Sequence, residues 1–222
     1  MGSKNLLSII YLNYNGESLL PTTLPFLLAS AAGHQVIVVD NGSTDNSIDI
    51  IDNYKKNYKF DTKYLEYNHG FSGGNNFGIP LAENGVIVFT SNDVIFPRFF
   101  PWQKVVERCQ DDVLFGQHVV DWDGGWNKIE NKVYPYISGW FVAGNTEVWS
   151  MIGWDERYNP CDCEDVDLSI QAFYNEIPLR VQDLGAQHLG GRTVTNTDRI
   201  KTTYRMKTVL DNKWRNYGRP NA

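Results

Sequence analysis

Short apolar runs alternate with helical patterns over the first half of the chain. The strand-like runs are Leu6–Leu12, Gln35–Asp40, Lys63–Tyr67 and Gly85–Thr90. Helical patterns are predicted between them, over Glu17–Ala32, Thr44–Asn57 and Gly74–Glu83. Pro21 and Pro25 are expected near the start or at a bend of the first helix, and Ser43 or Thr44 caps the second. This alternation predicts a mostly parallel sheet with helices on both faces.

The second half has a less regular pattern. Asp121–Phe141 combines turn residues with aromatics and predicts hairpin strands. Val166, Ile170 and Phe173 recur at helical spacing and predict a helix over Asp165–Glu176 with one buried face. A last helix is predicted over Ile200–Trp214. We therefore expect an α/β fold with a mostly parallel central sheet and a smaller antiparallel strand element in the second half.

Length and composition fit one domain with a full core. The chain has 222 residues, of which 42% are hydrophobic, so we expect a single domain over 1–222. The net charge of -6 argues against nucleic acid as the main partner, since nucleic acid requires a broad basic face. The basic residues between Arg199 and Arg219 leave two interpretations open, a solvated helix face or contact with phosphates or an anionic membrane surface.

Two sequence features bear on the compartment. No apolar run reaches the roughly 18 residues that a membrane span needs, and the first residues do not resemble a signal peptide. The three cysteines are an odd number, so we expect reduced thiols and a cytoplasmic location.

Polar and glycine-rich segments follow the four predicted strands of the first half. They are Asn13–Asn15, Asp40–Gly42, Asn68–Gly78 and Ser91–Asp93. Each segment alone is typical of a turn. In a parallel sheet, however, the carboxyl ends of the strands meet at one edge, where ligands bind. Together the four segments predict a binding site for a small polar ligand.

The third and fourth of these segments favour a phosphate ligand with a metal. Gly73 and Gly74 allow the backbone to approach an anion at a helix start, although neither a Walker motif nor a G-x-G-x-x-G motif is present. Asp93 would repel a bound phosphate unless a divalent cation lay between them.

The combined motifs resemble those of a known family. The segments SIIYLNYNG, VVDNGSTDNS, NHGFSGGNNFGI, FTSNDV, GWDERYNPCDCEDVDLSIQAF and HLGG occur in the order and spacing of the family-2 glycosyltransferases. The resemblance runs from about Leu6 to His188 and implies a GT-A type fold. The asparagine-glycine segment is most similar to the branch that contains rhamnosyltransferases and galactofuranosyltransferases.

The resemblance implies roles for individual residues. Asp93 matches the last acid of the family's Asp-x-Asp metal motif, Ser91 replaces the first acid, and His188 completes the metal shell, with Mn²⁺ or Mg²⁺ as the cofactor. Asp165 matches the catalytic base, and Glu164 and Trp140 lie on the acceptor and sugar side. The resemblance also implies a set of residues that bind the donor: Leu12, Tyr14, Asn15, Asp40, Asn68, Gly73, Gly74, Asn75, Asn76 and Asn92.

Physical chemistry supports these roles independently. A divalent cation neutralises the charge that develops on a leaving diphosphate, and one carboxylate suffices to accept the proton of the attacking hydroxyl. Asp165 lies in the first turn of a predicted helix, where the helix dipole favours the ionised form. The structural alternative is that the acids here only decorate a helix N-terminus. A single base opposite the leaving group predicts inversion at the anomeric carbon.

Among the tryptophans, Trp122, Trp126, Trp140 and Trp154 are candidates for stacking on sugar rings, and Trp140 is favoured. Core packing is the alternative for each of them. His69 lies inside the glycine-rich segment and could touch phosphate, whereas His34 and His118 are expected to have structural roles.

The sequence predicts an inverting, metal-dependent glycosyltransferase with a UDP- or dTDP-linked donor, rhamnose among the candidate sugars, and a glycan hydroxyl as acceptor. Residues 1–95 would bind the nucleotide and 96–222 the acceptor, and the chain could belong to a longer protein. One alternative is a sugar nucleotidyltransferase, which normally has a basic loop after strand one, whereas Asn13–Ser18 has no Lys or Arg. The other is a binding module without catalysis, which Ser91 leaves open.

Overall fold

The structure is a computed structural model and describes residues 6–190, 196–215 and 217. The strands are β1 (Ser8–Asn13), β2 (Gln35–Asp40), β3 (Asp61–Tyr64), β4 (Val86–Ser91), β5 (Val94–Ile95), β6 (Leu114–Gly116), β7 (Val119–Val120), β8 (Lys128–Ile129), β9 (Lys132–Val133), β10 (Tyr136–Ile137), β11 (Phe141–Asn145), β12 (Leu179–Val181) and β13 (Gln187–His188). The helices are α1 (Leu20–Ser30), α2 (Ser47–Lys55), α3 (Gly70–Gly78), α4 (Trp102–Arg108), α5 (Thr146–Met151), α6 (Glu164–Tyr174) and α7 (Asn196–Trp214), with a 3₁₀ turn at Ile79–Leu81.

A seven-stranded sheet forms the centre of the described residues. Its order is β12-β6-β11-β4-β1-β2-β3, and β11 runs antiparallel to both of its neighbours, whereas the other pairings are parallel. The sheet therefore joins strands from both halves of the chain. The predicted mostly parallel sheet is confirmed.

Alternate residues of β1 face opposite sides of the sheet. Ile9 and Tyr11 belong to the core that contains Leu24 of α1, and Ile10 belongs to the core that contains Leu168 of α6. Both faces of β1 are thus covered by helices, which explains its uninterrupted apolar run.

The glycine-rich segment after β3 is a helix, where we expected a loop up to Gly74. Helix α3 begins at Gly70 and lies directly against β1. A Cβ atom added at Gly74 would lie 2.5 Å from Leu12 Cδ1, and one at Gly78 would lie 2.6 Å from Ile10 Cγ2. These glycines therefore permit close helix–sheet packing, a different use from an approach to phosphate.

The boundaries of β3 and α2 also differ from the predicted ones. Strand β3 covers Asp61–Tyr64, so the segment that returns to the sheet edge is longer than expected. Helix α2 begins at Ser47, and Asn46 at its N-cap position makes no side-chain cap. The predicted cap at Ser43 or Thr44 is wrong, because the Ser43 hydroxyl donates to Asp40 Oδ2 instead.

The expected antiparallel element in the second half is confirmed. Strands β8 and β9 form one antiparallel pair and β7 and β10 another. The sequence patterns did not predict helices α4 and α5. Phe173, predicted in the buried face of α6, is 50% exposed, and the Lys132 ammonium lies 3.7 Å from its ring centroid.

Some of the basic side chains of helix α7 form ion pairs within the protein. Lys213 Nζ lies 2.8 Å from both Asp155 Oδ2 and Asp167 Oδ2, and Lys207 pairs with Asp211. The predicted contact of this helix with a membrane surface stays a prediction. Within the ranges that the structure describes, no helix is both long enough and apolar enough to span a bilayer.

Candidate active site

A cavity of about 1360 Å³ opens at the carboxyl ends of β1 and β4. It brings together residues from the strand ends, from β10–β11, from the start of α6 and from β13. The predicted site residues that line it are Leu12, Tyr14, Asn68, Asn92, Asp93, Trp140, Glu164, Asp165 and His188.

Buried polar side chains hold the strand ends in place. Asn13 and Asp40 are partners in the register of β1 and β2, and Asn13 Nδ2 donates to Asp40 Oδ2 at 2.8 Å. Asn92 Nδ2 donates to Asn13 Oδ1, also at 2.8 Å. Because buried amides need partners, this chain of hydrogen bonds fixes the turn before Asp93 relative to β1 and β2.

Two predicted donor-binding residues, Asp40 and Asn15, support loops and do not line the cavity. Asp40 is fully buried, and its carboxylate accepts hydrogen bonds from Asn13 and from the Ser43 amide and hydroxyl. Asn15 Oδ1 accepts from the Thr44 amide at 2.8 Å. Their predicted contacts with a nucleobase or ribose stay predictions.

The other predicted donor residues outside the cavity lie in α3. Asn76 Nδ2 donates to Trp154 O and Glu156 Oε1, and Asn75 Nδ2 donates to Phe71 O, while Gly73 and Gly74 are buried. The Gly70 and Phe71 amides at the helix start already donate to Asn68 Oδ1 and Pro160 O. These two amides are therefore satisfied inside the protein, and Asn68 and Phe71 are the members of the segment that line the cavity.

Asp93 and His188 meet in the cavity. Strand β13 pairs with β5 so that His188 lies opposite Val94, and His188 Nε2 is 3.1 Å from Asp93 Oδ2. The Ser91 hydroxyl donates to Asp93 Oδ1 at 2.5 Å. Burial raises the pKa of Asp93, but the hydrogen bonds from His188 and Ser91 outweigh it and hold the pKa below its usual value.

The indole ring of Trp140 orients His188. The Trp140 ring stacks on the imidazole with centroids 5.3 Å apart and planes 6° apart. Trp140 therefore has one face covered by His188, which makes it a support for that side chain and limits its use as a sugar platform.

The chemistry of this pair suits a divalent cation. A carboxylate next to an imidazole is a ligand pair that Mn²⁺ accepts. Among the residues that the structure describes, no group of three or more His, Cys, Asp or Glu side chains could hold a metal. The remaining ligands would have to come from a bound diphosphate and water. Ser91 binds Asp93 and so orients this carboxylate.

Asp165 lies in the same cavity at the start of α6. Its Oδ2 accepts from the Gly139 amide at 3.1 Å and its Oδ1 from the Val166 amide at 2.8 Å. Burial raises the pKa of Asp165, these hydrogen bonds lower it, and the nearby Asp162 carboxylate raises it, which together give a pKa of about 6. Burial, which raises the pKa of Asp165, therefore outweighs the helix dipole, which we expected to favour the ionised form.

Comparison with known proteins identifies the family. The family model described as Glycosyl transferase family 2 matches residues 8–164, which is more than half of the chain. The chain belongs to glycosyl transferase family 2.

Two curated relatives of this family-2 glycosyltransferase are each 29% identical to it over the aligned segment. The uncharacterized glycosyltransferase YibD of Escherichia coli is 29% identical over 124 residues, which are 55% of this chain and 36% of YibD. The poly(ribitol-phosphate) beta-glucosyltransferase of Bacillus spizizenii is 29% identical over 119 residues, 50% of this chain and 19% of that protein. The chain therefore matches well under two thirds of the length of either relative.

Solved structures confirm the GT-A type fold of this family-2 glycosyltransferase. A mannosyltransferase of Pyrobaculum calidifontis, in complex with GDP-Man and Mn²⁺, has a TM-score of 0.70 at 14% identity and covers 93% of this chain and 64% of its own. S. aureus TarS 1-349 in complex with UDP-GlcNAc has a TM-score of 0.58 at 18% identity, covering 92% of this chain and 66% of its own.

Sequence reasoning missed several cavity residues of this family-2 glycosyltransferase. His118, expected to be structural, lines the cavity, and its Nδ1 is 3.0 Å from Ser138 Oγ. Helix α7 contributes Thr203 and Tyr204, although its sequence pattern shows only a basic helix. Asn41 also reaches the cavity and donates to Asn68 Oδ1; its place directly after the strand-end Asp40 was the available signal.

The remaining aromatic candidates divide between core and surface. Trp154 is buried in the core around α6 and packs against Phe71 and Phe89. Trp122 is exposed and is not among the residues that line the cavity. The His69 ring stacks on Tyr67 at 4.1 Å, also outside the cavity lining. Trp126 lines the cavity mouth.

Proposed function

We propose that this chain is an inverting, metal-dependent glycosyltransferase that moves a sugar from a nucleoside-diphosphate sugar to a hydroxyl of a glycan. One observation carries the proposal: the Asp93–His188 pair and the half-buried Asp165 line the same cavity. Metal-dependent glycosyl transfer needs ligands for a cation that binds the diphosphate, and a separate base that accepts the proton of the acceptor hydroxyl. The cavity offers residues of both kinds.

The donor side is assigned to the strand ends. Leu12, Tyr14 and Asn92 line this part of the cavity with Asn68, and Asp93 and His188 would hold the cation. When bound, the cation acts as a Lewis acid that neutralises charge on the leaving diphosphate. We assign donor binding to residues 1–95, together with His188, and acceptor binding to the rest of 96–222.

Asp165 is assigned the proton transfer. With a pKa of about 6, it is mostly ionised at neutral pH yet basic enough to accept the hydroxyl proton of the acceptor, as a general base requires. The Gly139 and Val166 amides hold its two oxygens, which keeps the carboxylate in position to accept the proton of the attacking acceptor hydroxyl. One base without a protein nucleophile predicts inversion.

A UDP-linked sugar is the first donor to test, and a dTDP-linked donor such as dTDP-rhamnose is the second. TarS, which has the same fold, was solved with UDP-GlcNAc, and this motivates the first choice. The glycan acceptor and the cytoplasmic location stay predictions.

A thermal-shift screen followed by a donor-cleavage assay tests the proposal. Purified protein is screened with UDP-, dTDP- and GDP-sugars, each with and without Mn²⁺, and the best donor is assayed for nucleoside diphosphate release. We expect one donor to raise Tm only when Mn²⁺ is present and to be cleaved to the nucleoside diphosphate. Release of pyrophosphate would indicate a nucleotidyltransferase, and binding without cleavage would indicate a binding module.

A matched pair of variants localises the metal effect. Asp93→Asn should abolish the Mn²⁺-dependent rise in Tm, because the carboxylate ligand is lost. Asp183→Asn is the control, since Asp183 is exposed and lies outside the cavity lining. Equal behaviour of the two variants would contradict the assignment of Asp93.

A further inference from the structure

Two aromatic rings from distant parts of the chain meet at the cavity mouth. Trp126 precedes β8 and Tyr204 lies in α7, and their ring centroids are 5.6 Å apart in an edge-on arrangement. Trp126 is 36% exposed and Tyr204 is 64% exposed, although both line the cavity that contains Asp165. Large aromatic side chains that remain exposed beside a reaction site are in position to contact a substrate.

We propose that Trp126 and Tyr204 form a stacking platform for a sugar ring of the acceptor glycan. The inference rests on the proposed function, because it assigns the acceptor side of that cavity. A pyranose ring has an apolar face of C–H groups and an equatorial belt of hydroxyls. Rigid aromatic rings with a polar edge suit such a ligand at low entropic cost.

Polar groups adjoin the platform, as recognition of a sugar requires. The hydroxyl of Thr203, next to Tyr204, donates to Asp162 Oδ2 at 2.7 Å, and Asp162 is close enough to Asp165 to act on it electrostatically. On another wall, Ser138 is paired with His118. These groups all line the same cavity and provide the donors and acceptors that sugar hydroxyls need.

The donor sugar is a less suitable occupant of this platform. The donor side is built by residues of the strand ends between Leu12 and Asp93, whereas Trp126 and Tyr204 belong to the second half. Trp140, the aromatic residue next to the proposed metal ligands, already stacks on His188. The platform therefore fits the part of the cavity assigned to the acceptor.

A lipid surface is also less favoured by the charges of α7. Binding to an anionic bilayer needs several free basic side chains near the apolar contact. Lys207 and Lys213 are engaged in ion pairs within the protein, and Arg205 donates to Asn159 O.

Saturation-transfer NMR tests the platform without any need for turnover. The probes are the methyl β-glycosides of glucose, galactose and N-acetylglucosamine, added to the full chain with UDP and Mn²⁺. We expect at least one probe to receive saturation at its ring C–H protons. The double variant Trp126→Ala/Tyr204→Ala should weaken binding by about tenfold or more, since each lost aromatic contact is worth up to about a tenfold factor.

Matched variants separate stacking from folding. Trp122→Ala removes a tryptophan of the same segment that is 58% exposed and not part of the cavity lining, so it should bind the probe like the wild type. Trp126→Phe and Tyr204→Phe keep a ring and should retain most binding. Tm values of all variants are measured alongside. If the double variant is unstable, the single variants Trp126→Ala and Tyr204→Ala decide the outcome by the same criterion, a loss of probe binding.

Three results would overturn the platform. They are saturation of no probe, unchanged binding in the double variant, and equal loss in Trp122→Ala. Co-sedimentation of the wild type with phosphatidylglycerol vesicles that is abolished in the double variant would replace the glycan with a lipid surface. If the wild type cleaves no donor, the proposed function fails by itself, and the probe binding still decides the platform.

Discussion

Single residues of the cavity show how environment divides the roles of two carboxylates. Asp93 accepts hydrogen bonds from Ser91 and His188, which hold its pKa low, whereas burial raises the pKa of Asp165 to about 6. A carboxylate kept ionised suits a cation, and one with a raised pKa suits proton transfer. The same side-chain type can therefore serve both ends of a glycosyl transfer.

The raised pKa of Asp165 predicts the acidic limb of the pH–rate profile. A base works only when ionised, so kcat should fall as the pH drops through about 6 and should not change through this group above that pH. The profile is measured as nucleoside diphosphate release at saturating donor and Mn²⁺. An acidic limb near pH 4, the ordinary value for Asp, would contradict the buried environment of this base.

Trp140 is predicted to act on the metal through His188. Trp140→Ala removes the ring that stacks on the imidazole, so the Kd for Mn²⁺ in the presence of UDP should rise by about tenfold, as loss of a supporting neighbour of a ligand does. Isothermal titration calorimetry measures this Kd. Trp140→Phe keeps a stacking ring and should bind Mn²⁺ nearly as well, and an unchanged Kd in Trp140→Ala would refute the positioning role.

The environment of a residue was harder to predict than its identity. Asp93, Asp165 and His188 could be proposed from the motifs, and the structure places all three in one cavity. The environment of Asp165 could not, because it depends on Gly139, whose amide lies 26 residues away in the chain and donates to Asp165 Oδ2. The place of His118 in the cavity could not be predicted for the same reason, since its partner Ser138 lies 20 residues away in the chain.

At the scale of elements, turns at the strand ends determine where the cavity walls lie. Gly42 follows β2 with φ of 73°. A Cβ atom added there would lie 2.4 Å from the carbonyl carbon of Tyr67. The turn after β2 and the segment that leads into α3 are thus in backbone contact, and this contact places Asn41 and Asn68 within hydrogen-bonding distance.

Gly42→Ala is predicted to destabilise the fold by about 2–4 kcal/mol, because left-handed strain adds to overpacking against the backbone. Gly33 is the matched control. It also has a positive φ of 94°, but nothing lies within 4 Å of an added Cβ, so Gly33→Ala should cost only about 1–2 kcal/mol. Chemical denaturation measures both free energies of unfolding. Equal losses would show that the Tyr67 contact does not matter.

Elements with strong apolar patterns were predictable, and those set by packing were not. The predicted limits of β2 match the observed ones, because a buried parallel strand has a continuous β-branched run. Helix α3 begins at Gly70, four residues before the predicted start at Gly74. The prediction was wrong because Gly70, Gly73 and Gly74 are poor helix formers. Gly74 and Gly78 allow the close approach of α3 to β1, and a Cβ atom at Gly70 would crowd Asn159 and Pro160; local sequence reveals neither contact.

The molecule as a whole brings the two halves together around one cavity. Strands β1 and β4 provide the donor side, whereas Asp165 and the α7 residues come from the second half. Helix α7 is anchored by Lys213 and by Trp214 Nε1, which donates to Asp167 Oδ1 at 2.7 Å. Asp167 follows the proposed base by two residues, so the anchoring of α7 and the position of the base depend on the same helix, α6.

Donor affinity and turnover in Asp165→Asn test the assignment of the general base most directly. We predict an unchanged donor Kd in the presence of Mn²⁺, because Asp165 is assigned to the proton transfer and not to donor or metal binding. Turnover should be lower by about 10²–10⁴-fold, the usual worth of a general base. If the variant turned over donor at a near-normal rate, or lost donor affinity in proportion to its activity, Asp165 would not be the general base.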